Sequence, residues 1–128
     1  MTSETILAGS RVLVVEDEAL IALDISDLLA EAGVVVIGPL SSLGDALAEA
    51  PTVEVDAALL DVSLARREVW PVAEILLQRR IPIIFLTGYA SLALPEQFAV
   101  CPRMDKPVDA TKLRAQLTET LRRVRSAN

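Results

Sequence analysis

Short apolar runs alternate with amphipathic segments along the chain, five times over. The runs are mainly apolar, and the first of them, residues 11–15, is rich in β-branched residues, a composition typical of buried strands. They cover residues 11–15, 34–38, 56–61, 82–88 and 99–104. Pro102 lies in the last of them, and because proline has no backbone N–H to donate, this run is expected to form an edge strand.

The segments between these runs have the residue spacing of helices. In the first of them, Ile21, Ile25 and Leu29 share one face while acidic side chains occupy the other. The expected helix boundaries are Gly33 at the end of the first, Ser41 or Ser42 and Pro51 around the second, Pro71 at the start of the third, and Asp109 before the last. Residues 89–98 are too short and too interrupted by proline for a regular helix, so the fourth helix is expected to be short or reshaped.

Repetition of a strand followed by a helix indicates a parallel sheet that is covered on both faces. We therefore predict an α/β fold, with a doubly wound, five-stranded parallel sheet and about five helices. A length of 128 residues suits one domain. The expected organisation is an N-terminal extension over residues 1–10, the domain over residues 11–125 and a tail over residues 126–128.

The sequence contains no histidine and a single cysteine, Cys101. Without histidine, any chemistry must rely on carboxylates, hydroxyls, lysine and a bound metal. A single cysteine cannot form an internal disulfide, which favours a reducing compartment. No apolar stretch approaches the ~18 residues that would span a bilayer, and the first residues lack the features of an export signal. We expect a cytoplasmic protein without membrane insertion.

The net charge of −6 is unevenly distributed. Residues 1–100 hold 15 acidic and 5 basic side chains, whereas residues 101–128 hold 3 acidic and 7 basic ones. The acidic body argues against nucleic-acid binding. The basic side chains near the C-terminus either complement the dipole of the last helix or contact an acidic partner.

Residues with chemical capacity follow four of the five predicted strands. Glu16 and Asp17 follow the first strand, Asp61 ends the third, Thr87 lies at the end of the fourth, and Lys106 follows the fifth. Because the carboxyl ends of parallel strands meet at one edge of a sheet, we expect these side chains to converge.

The types of these residues indicate metal-assisted phosphate chemistry. Neighbouring carboxylates raise each other's proton affinity unless a cation compensates, and hard oxygen ligands with room for water suit Mg²⁺. The metal can bridge an incoming phosphoryl group, and Asp61 is then a candidate nucleophile because aspartate forms acyl phosphates. Lys106 offers a cationic donor to a phosphoryl oxygen, and Thr87 offers a hydroxyl.

Four motifs, VEDE, LLDVSL, FLTGY and DKP, follow one another at the predicted strand ends. In this order and spacing they resemble the receiver domains of two-component response regulators, over residues 11–124. The resemblance implies a flavodoxin-like sheet with the strand order 2-1-3-4-5. FLTGY also resembles the F-A-T-G-Y motif of a subgroup of single-domain receivers, in which the segment after the fourth strand is reduced or reshaped.

The resemblance further implies a role for each residue of the site. Asp61 would be the phosphoacceptor, and Thr87 and Lys106 would bind the phosphoryl group. The Mg²⁺ ligands would be Glu16, Asp17, Asp61 and the backbone carbonyl of Ser63. The Lys106–Pro107 peptide bond would be cis.

The switching residues depart from the family pattern. Receivers carry an aromatic residue three positions before the lysine, and this sequence has Arg103 there. The usual coupling between Thr87 and that aromatic residue is therefore in question. Tyr89, two residues after Thr87, is a candidate to take over part of the switching.

The resemblance implies a stand-alone receiver, a signalling domain rather than an enzyme. A histidine kinase or histidine phosphotransfer protein would supply the phosphoryl group, and an unidentified downstream protein would read the result. One alternative is a pseudo-receiver that interacts with partners without phosphorylation. The other is a small Mg²⁺-dependent phosphohydrolase, against which Ser63 argues, since such enzymes often carry a second aspartate two residues after the nucleophile.

Overall fold

Apolar strands form one parallel sheet at the centre of the molecule, in a computed structural model that describes residues 2–88 and 93–127. Along the chain the strands are β1 (Arg11–Val15), β2 (Val35–Leu40), β3 (Ala57–Asp61), β4 (Ser63–Leu64), β5 (Arg67–Glu68), β6 (Ile83–Thr87) and β7 (Arg103–Asp105). Strands β4 and β5 form a separate antiparallel hairpin, and the other five lie in the order β2-β1-β3-β6-β7. Counted within the sheet alone, this order is 2-1-3-4-5, which confirms the predicted flavodoxin-like, doubly wound fold.

Helices cover both faces of the sheet. Along the chain they are α1 (Ser3–Leu7), α2 (Ala19–Glu31), α3 (Leu43–Glu49), α4 (Trp70–Gln78) and α5 (Ala110–Ala127). The hydroxyl of Ser42 caps α3 by accepting the Asp45 N–H at 3.1 Å, and Asp109 caps α5 by accepting the Lys112 N–H at 2.9 Å. None of the helices in the described part of the chain is both long and apolar enough to cross a bilayer.

Two apolar clusters fill the space between the sheet and the helices. One packs against α3 and α4, and the other packs against α1, α2 and α5. Successive residues of β1 alternate between them, with Leu13 and Val15 in the first cluster and Val12 and Val14 in the second. Burial on both faces explains why this strand is apolar at every central position.

Strand β2 extends further than the sequence predicts. The expected end was Gly38, but the strand continues through a cis peptide bond at Pro39 to Leu40. Gly38 has a φ of 101°, and a Cβ there would lie 2.9 Å from the carbonyl oxygen of Val14. Glycine therefore permits a close approach to β1 that lets the Leu40 carbonyl accept the N–H of Glu16 at 3.0 Å.

The last strand begins later than the sequence predicts. The expected strand over residues 99–104 is observed as β7, Arg103–Asp105, at the edge of the sheet beside β6. The preceding residues form turns instead, and the Cys101 N–H donates to the Phe98 carbonyl at 3.0 Å. In place of a regular fourth helix, the described residues contain a 3₁₀ helix, Glu96–Phe98. Residues 89–92 lie outside the described part.

The residues before β1 contain a helix that the sequence pattern did not indicate. In α1, Ile6 and Leu7 are buried in the cluster next to α5. Arg125 of α5 donates to the Ile6 carbonyl at 3.1 Å and to the Ser10 hydroxyl oxygen at 3.0 Å. The extension therefore packs against the domain, whose limits at residues 11 and 125 stay a prediction.

Candidate functional site

Three carboxylates meet at the carboxyl edge of the sheet. Glu16 and Asp17 follow β1, and Asp61 ends the neighbouring strand β3. Each of the three offers a carboxylate oxygen that lies within 4.8 Å of the other two. Residues 45 positions apart in the chain are thus brought together because β1 and β3 pair in parallel, with Val15 opposite Leu60.

Lys106 provides the positive charge that these carboxylates require. Its Nζ lies 2.6 Å from Glu16 Oε1 and 3.1 Å from Asp61 Oδ2, and 3.8 Å from Glu18 Oε1. The backbone N–H of Lys106 donates to the Thr87 carbonyl at 2.8 Å, so the pairing of β7 with β6 positions this lysine. The peptide bond to Pro107 is cis, as predicted.

Glu16 lies beneath the site and is 1% exposed. Its second carboxylate oxygen, Oε2, accepts the backbone N–H of Glu18 at 3.2 Å, at the start of α2. A buried carboxylate needs a cation and hydrogen bonds to offset its lost hydration. The ammonium of Lys106 and this N–H provide them.

Asp61 titrates far from its usual range. Burial raises its pKa, and the hydrogen bond and negative charge of Glu16 raise it further. The positive charge of Lys106 lowers the pKa, but by less. The net result is a rise of the Asp61 pKa from 3.8 to about 8. At neutral pH, in the absence of a bound cation, Asp61 is therefore mostly protonated. A cation beside it would favour the ionised form.

The pKa values of Asp17 and Lys106 shift toward their charged forms. Burial alone would raise the pKa of Asp17, but hydrogen bonds from the Ala65 N–H and with Asp61 and Glu16 hold it below its ordinary value. Burial would lower the pKa of Lys106, but the contacts with Glu16 and Asp61 outweigh this effect and raise it. The shifts of both residues therefore favour their charged forms at neutral pH.

An open cavity of about 590 Å³ gives access to these groups. Asp17, Asp61, Thr87 and Lys106 line it together with the hairpin formed by β4 and β5. Thr87 ends β6 and is 1% exposed. Its volume leaves room for a cation and a phosphoryl group among these side chains.

The other predicted residues occupy different places. The Ser63 N–H donates to Asp61 Oδ1 at 3.3 Å, so this residue adjoins Asp61. The role of its carbonyl as a metal ligand stays a prediction. Arg103 lies in β7 and lines a separate cavity beside α5, whereas Lys106 lines both cavities. Tyr89 lies outside the described residues.

The structure adds a main-chain contact that the sequence did not indicate. The backbone N–H of Ala65, in the turn of the hairpin, donates to Asp17 Oδ2 at 2.8 Å. A main-chain donor leaves no signal in the residue type, so sequence reasoning had no means to find it.

A doubly wound α/β sheet with a carboxylate cluster, a lysine and a buried threonine at its carboxyl edge defines a class of signalling domains, the receivers. The chain belongs to the response regulator receiver domain family, which matches residues 12–118. Receiver domains act in two-component systems, where they receive phosphate from histidine kinases, interact with downstream proteins and bind Mg²⁺ in an acidic pocket.

Two solved structures illustrate this likeness. SdrG from Sphingomonas melonis Fr1 is 32% identical with a TM-score of 0.77, over 94% of this chain and 98% of that one. The receiver domain of the sensor histidine kinase PA1611 from Pseudomonas aeruginosa PAO1 is 26% identical with a TM-score of 0.77, over 89% of this chain and 98% of that one. The PA1611 structure contains a magnesium ion coordinated in its active site cleft.

The transcriptional regulatory protein PdtaR of Mycobacterium tuberculosis is 34% identical to this chain over 88 residues. The match covers 68% of this chain and 43% of PdtaR, so it spans less than half the length of that relative.

Proposed function

We propose that this receiver takes a phosphoryl group onto Asp61 from a phosphohistidine of a partner, in a Mg²⁺-dependent reaction, and thereby changes its affinity for another protein. The partner would be a histidine kinase or a histidine phosphotransfer protein. The observation that carries this proposal is the position of Asp61, whose Oδ2 lies 3.1 Å from Lys106 Nζ in an open, acid-lined cavity.

The residues present fit a magnesium ion. Glu16, Asp17 and Asp61 offer hard carboxylate oxygens within 4.8 Å of one another, which is the donor type that Mg²⁺ prefers. We propose that these three residues and the carbonyl of Ser63 would hold the ion. When bound, it would offset the crowded negative charge and favour the ionised form of Asp61.

The transfer uses the side chains of the site in defined roles. An ionised Asp61 oxygen attacks the phosphorus atom; a P–O bond forms while the P–N bond to the partner's imidazole breaks. The imidazole leaves with the electron pair and takes a proton from solvent. Lys106 and Thr87 donate to the phosphoryl oxygens, where negative charge accumulates.

The added charge supplies the signal. Phosphorylation of Asp61 adds charge and new hydrogen bonds beside Thr87, and we propose that this biases the segment after β6 between two arrangements. Tyr89 and Arg103 are the candidates that would respond. Membership of the F-A-T-G-Y-like single-domain subgroup, a cytoplasmic location and a role without enzymatic turnover beyond weak hydrolysis belong to the same proposal.

Intact mass measurement tests the function directly. The protein is incubated with Mg²⁺ and a small phosphodonor such as phosphoramidate, and Asp61→Asn is compared with Asp24→Asn, which replaces an exposed acid on α2. We expect one phosphoryl group on the wild type and on Asp24→Asn, none on Asp61→Asn, and none when a chelator removes Mg²⁺.

Two results would replace this proposal. A wild type that stays unmodified with several donors would indicate a phosphorylation-independent interaction module. Steady turnover of a phosphomonoester without stoichiometric labelling would indicate a phosphohydrolase.

A further inference from the structure

The hairpin beside the site turns through two residues with unusual backbone angles. Between β4 and β5, Ala65 has a φ of 49° and Arg66 has a φ of 70°. Two central residues with positive φ are the mark of a type I′ turn, which favours Asn-Gly because side chains disfavour this conformation. The sequence Ala-Arg therefore adopts this turn at a cost of about 1–2 kcal/mol per residue.

Contacts with the rest of the domain hold the hairpin in this conformation. The Ala65 N–H donates to Asp17 Oδ2 at 2.8 Å. Leu64 and Val69 are buried in the core, and the Val69 N–H donates to the Val62 carbonyl at 3.0 Å, which closes the base of the hairpin. Unfavourable backbone angles that the surroundings impose occur most often at functional sites.

The turn places a second cation at the cavity. Among the described residues that line it, Lys106 and Arg66 are the positively charged ones. Lys106 is already shared between Glu16 and Asp61. Arg66 is exposed and has no ion-pair partner among the described residues. Its guanidinium is thus available to an incoming anion.

We propose that Arg66 is a phosphoryl-binding residue, whose guanidinium donates to the phosphoryl oxygens of phosphorylated Asp61. This inference rests on the proposed function. Phosphorylation adds a dianionic group to the site, while the ammonium of Lys106 remains paired with Glu16. A guanidinium, whose planar fork matches two phosphoryl oxygens, supplies the missing positive charge.

Beryllofluoride, which binds aspartate carboxylates in the manner of a phosphoryl group, measures this contact at equilibrium. Its affinity for the Mg²⁺-loaded protein can be followed through the fluorescence of Trp70, the only tryptophan, whose ring N–H donates to the Glu68 carboxylate in β5. We expect Arg66→Gln to weaken beryllofluoride binding about ten- to hundred-fold, the usual range for a lost hydrogen bond to a charged group.

Arg67→Gln is the matched control, because Arg67 is the next residue, is also exposed and does not line the cavity. It should bind beryllofluoride as the wild type does. Arg66→Lys keeps the charge but loses the fork, and should fall between the wild type and Arg66→Gln. Mg²⁺ affinity should not weaken in any of these variants, since each removes a positive charge or leaves it in place.

A glycine variant separates binding from folding. Arg66→Gly removes the guanidinium and relieves the turn, since glycine tolerates positive φ. We expect a higher urea midpoint together with weakened beryllofluoride binding. Equal affinities for Arg66→Gln and Arg67→Gln would overturn the role of Arg66 alone. A wild type that neither binds beryllofluoride nor becomes labelled at Asp61 would overturn the proposed function as well.

Discussion

Replacing Asp61 by asparagine should stabilise the metal-free protein. In Asp61→Asn the side chain keeps its shape and its acceptor for the Ser63 N–H, but it can no longer ionise. The folded wild type must either hold Asp61 protonated or place a second carboxylate beside buried Glu16. The neutral amide avoids both of these energetic costs in the folded state, and the free energy of the unfolded chain changes little.

The pKa of Asp61 sets the size of the effect. Its rise from 3.8 to about 8 corresponds to an upper limit of about 6 kcal/mol, at about 1.4 kcal/mol for each pH unit. Water in the open cavity screens the charges, and the amide loses its ionic contact with Lys106. We therefore expect a net gain of about 1–3 kcal/mol in the free energy of unfolding at pH 8.

The gain should depend on pH with a definite sign. Between the unfolded pKa of 3.8 and the folded value of about 8, the unfolded chain has released the Asp61 proton while the folded protein retains it. The stability of the wild type relative to the amide variant therefore falls as pH rises through this window, and the difference becomes constant above about pH 8. Near pH 4 the two proteins should differ little.

Urea unfolding with a chelator present, at pH 5 and pH 8, measures the difference, with Asp24→Asn as the control for loss of an exposed acid. With a denaturant dependence of about 1–3 kcal/mol per molar, the midpoint of Asp61→Asn should rise by roughly 1 M at pH 8. An Asp61→Asn protein no more stable than Asp24→Asn at pH 8, or a gain that is the same at both pH values, would refute the reasoning.

Three further predictions follow from the same contacts. Mg²⁺ binding should release a proton and tighten as pH rises toward about 8, because Asp61 must ionise to act as the proposed ligand. Calorimetry in buffers of different ionisation enthalpy measures this proton release. Lys106→Met should destabilise the metal-free protein by about 3–5 kcal/mol in urea unfolding, since it leaves the buried carboxylate of Glu16 without its cation, whereas exposed Lys112→Met should change little. Gly38→Ala should lower the thermal midpoint by several degrees, because its Cβ would lie 2.7 and 2.9 Å from backbone atoms, while Gly44→Ala, inside α3, should leave it unchanged or raise it.

The sequence predicted the architecture through patterns that act over short distances. The apolar run of β1 and the spacing of Ile25 and Leu29 in α2 depend on burial of near neighbours, and the structure shows both as expected. Asp109 was found as a cap for the same reason, since a cap bonds only to the next turn. The errors arose where a distant partner decided the outcome, as at Gly38, where the approach of β1 continues the strand beyond the expected end.

The residues of the candidate site could also be predicted from the sequence: Glu16, Asp17, Asp61, Thr87 and Lys106 all lie at the ends of strands that were predicted to be parallel. The contacts between these side chains could not be predicted. The 2.6 Å contact that ties Lys106 to Glu16 and the raised pKa of Asp61 depend on distances and burial that only the packed sheet creates.

The sequence by itself thus determined which chemical groups reach the carboxyl edge, since strand periodicity and strand order specify where each strand ends. Only the tertiary structure decided that Arg103 lines a different cavity from Asp61, and that a hairpin holds Arg66 at the mouth of the site. These features depend on contacts between residues far apart in the chain, such as Ala65 with Asp17. Electrostatic energy changes steeply with the distance between charges and with their burial. It therefore depends on how the helices and strands pack together, which the local sequence pattern does not specify.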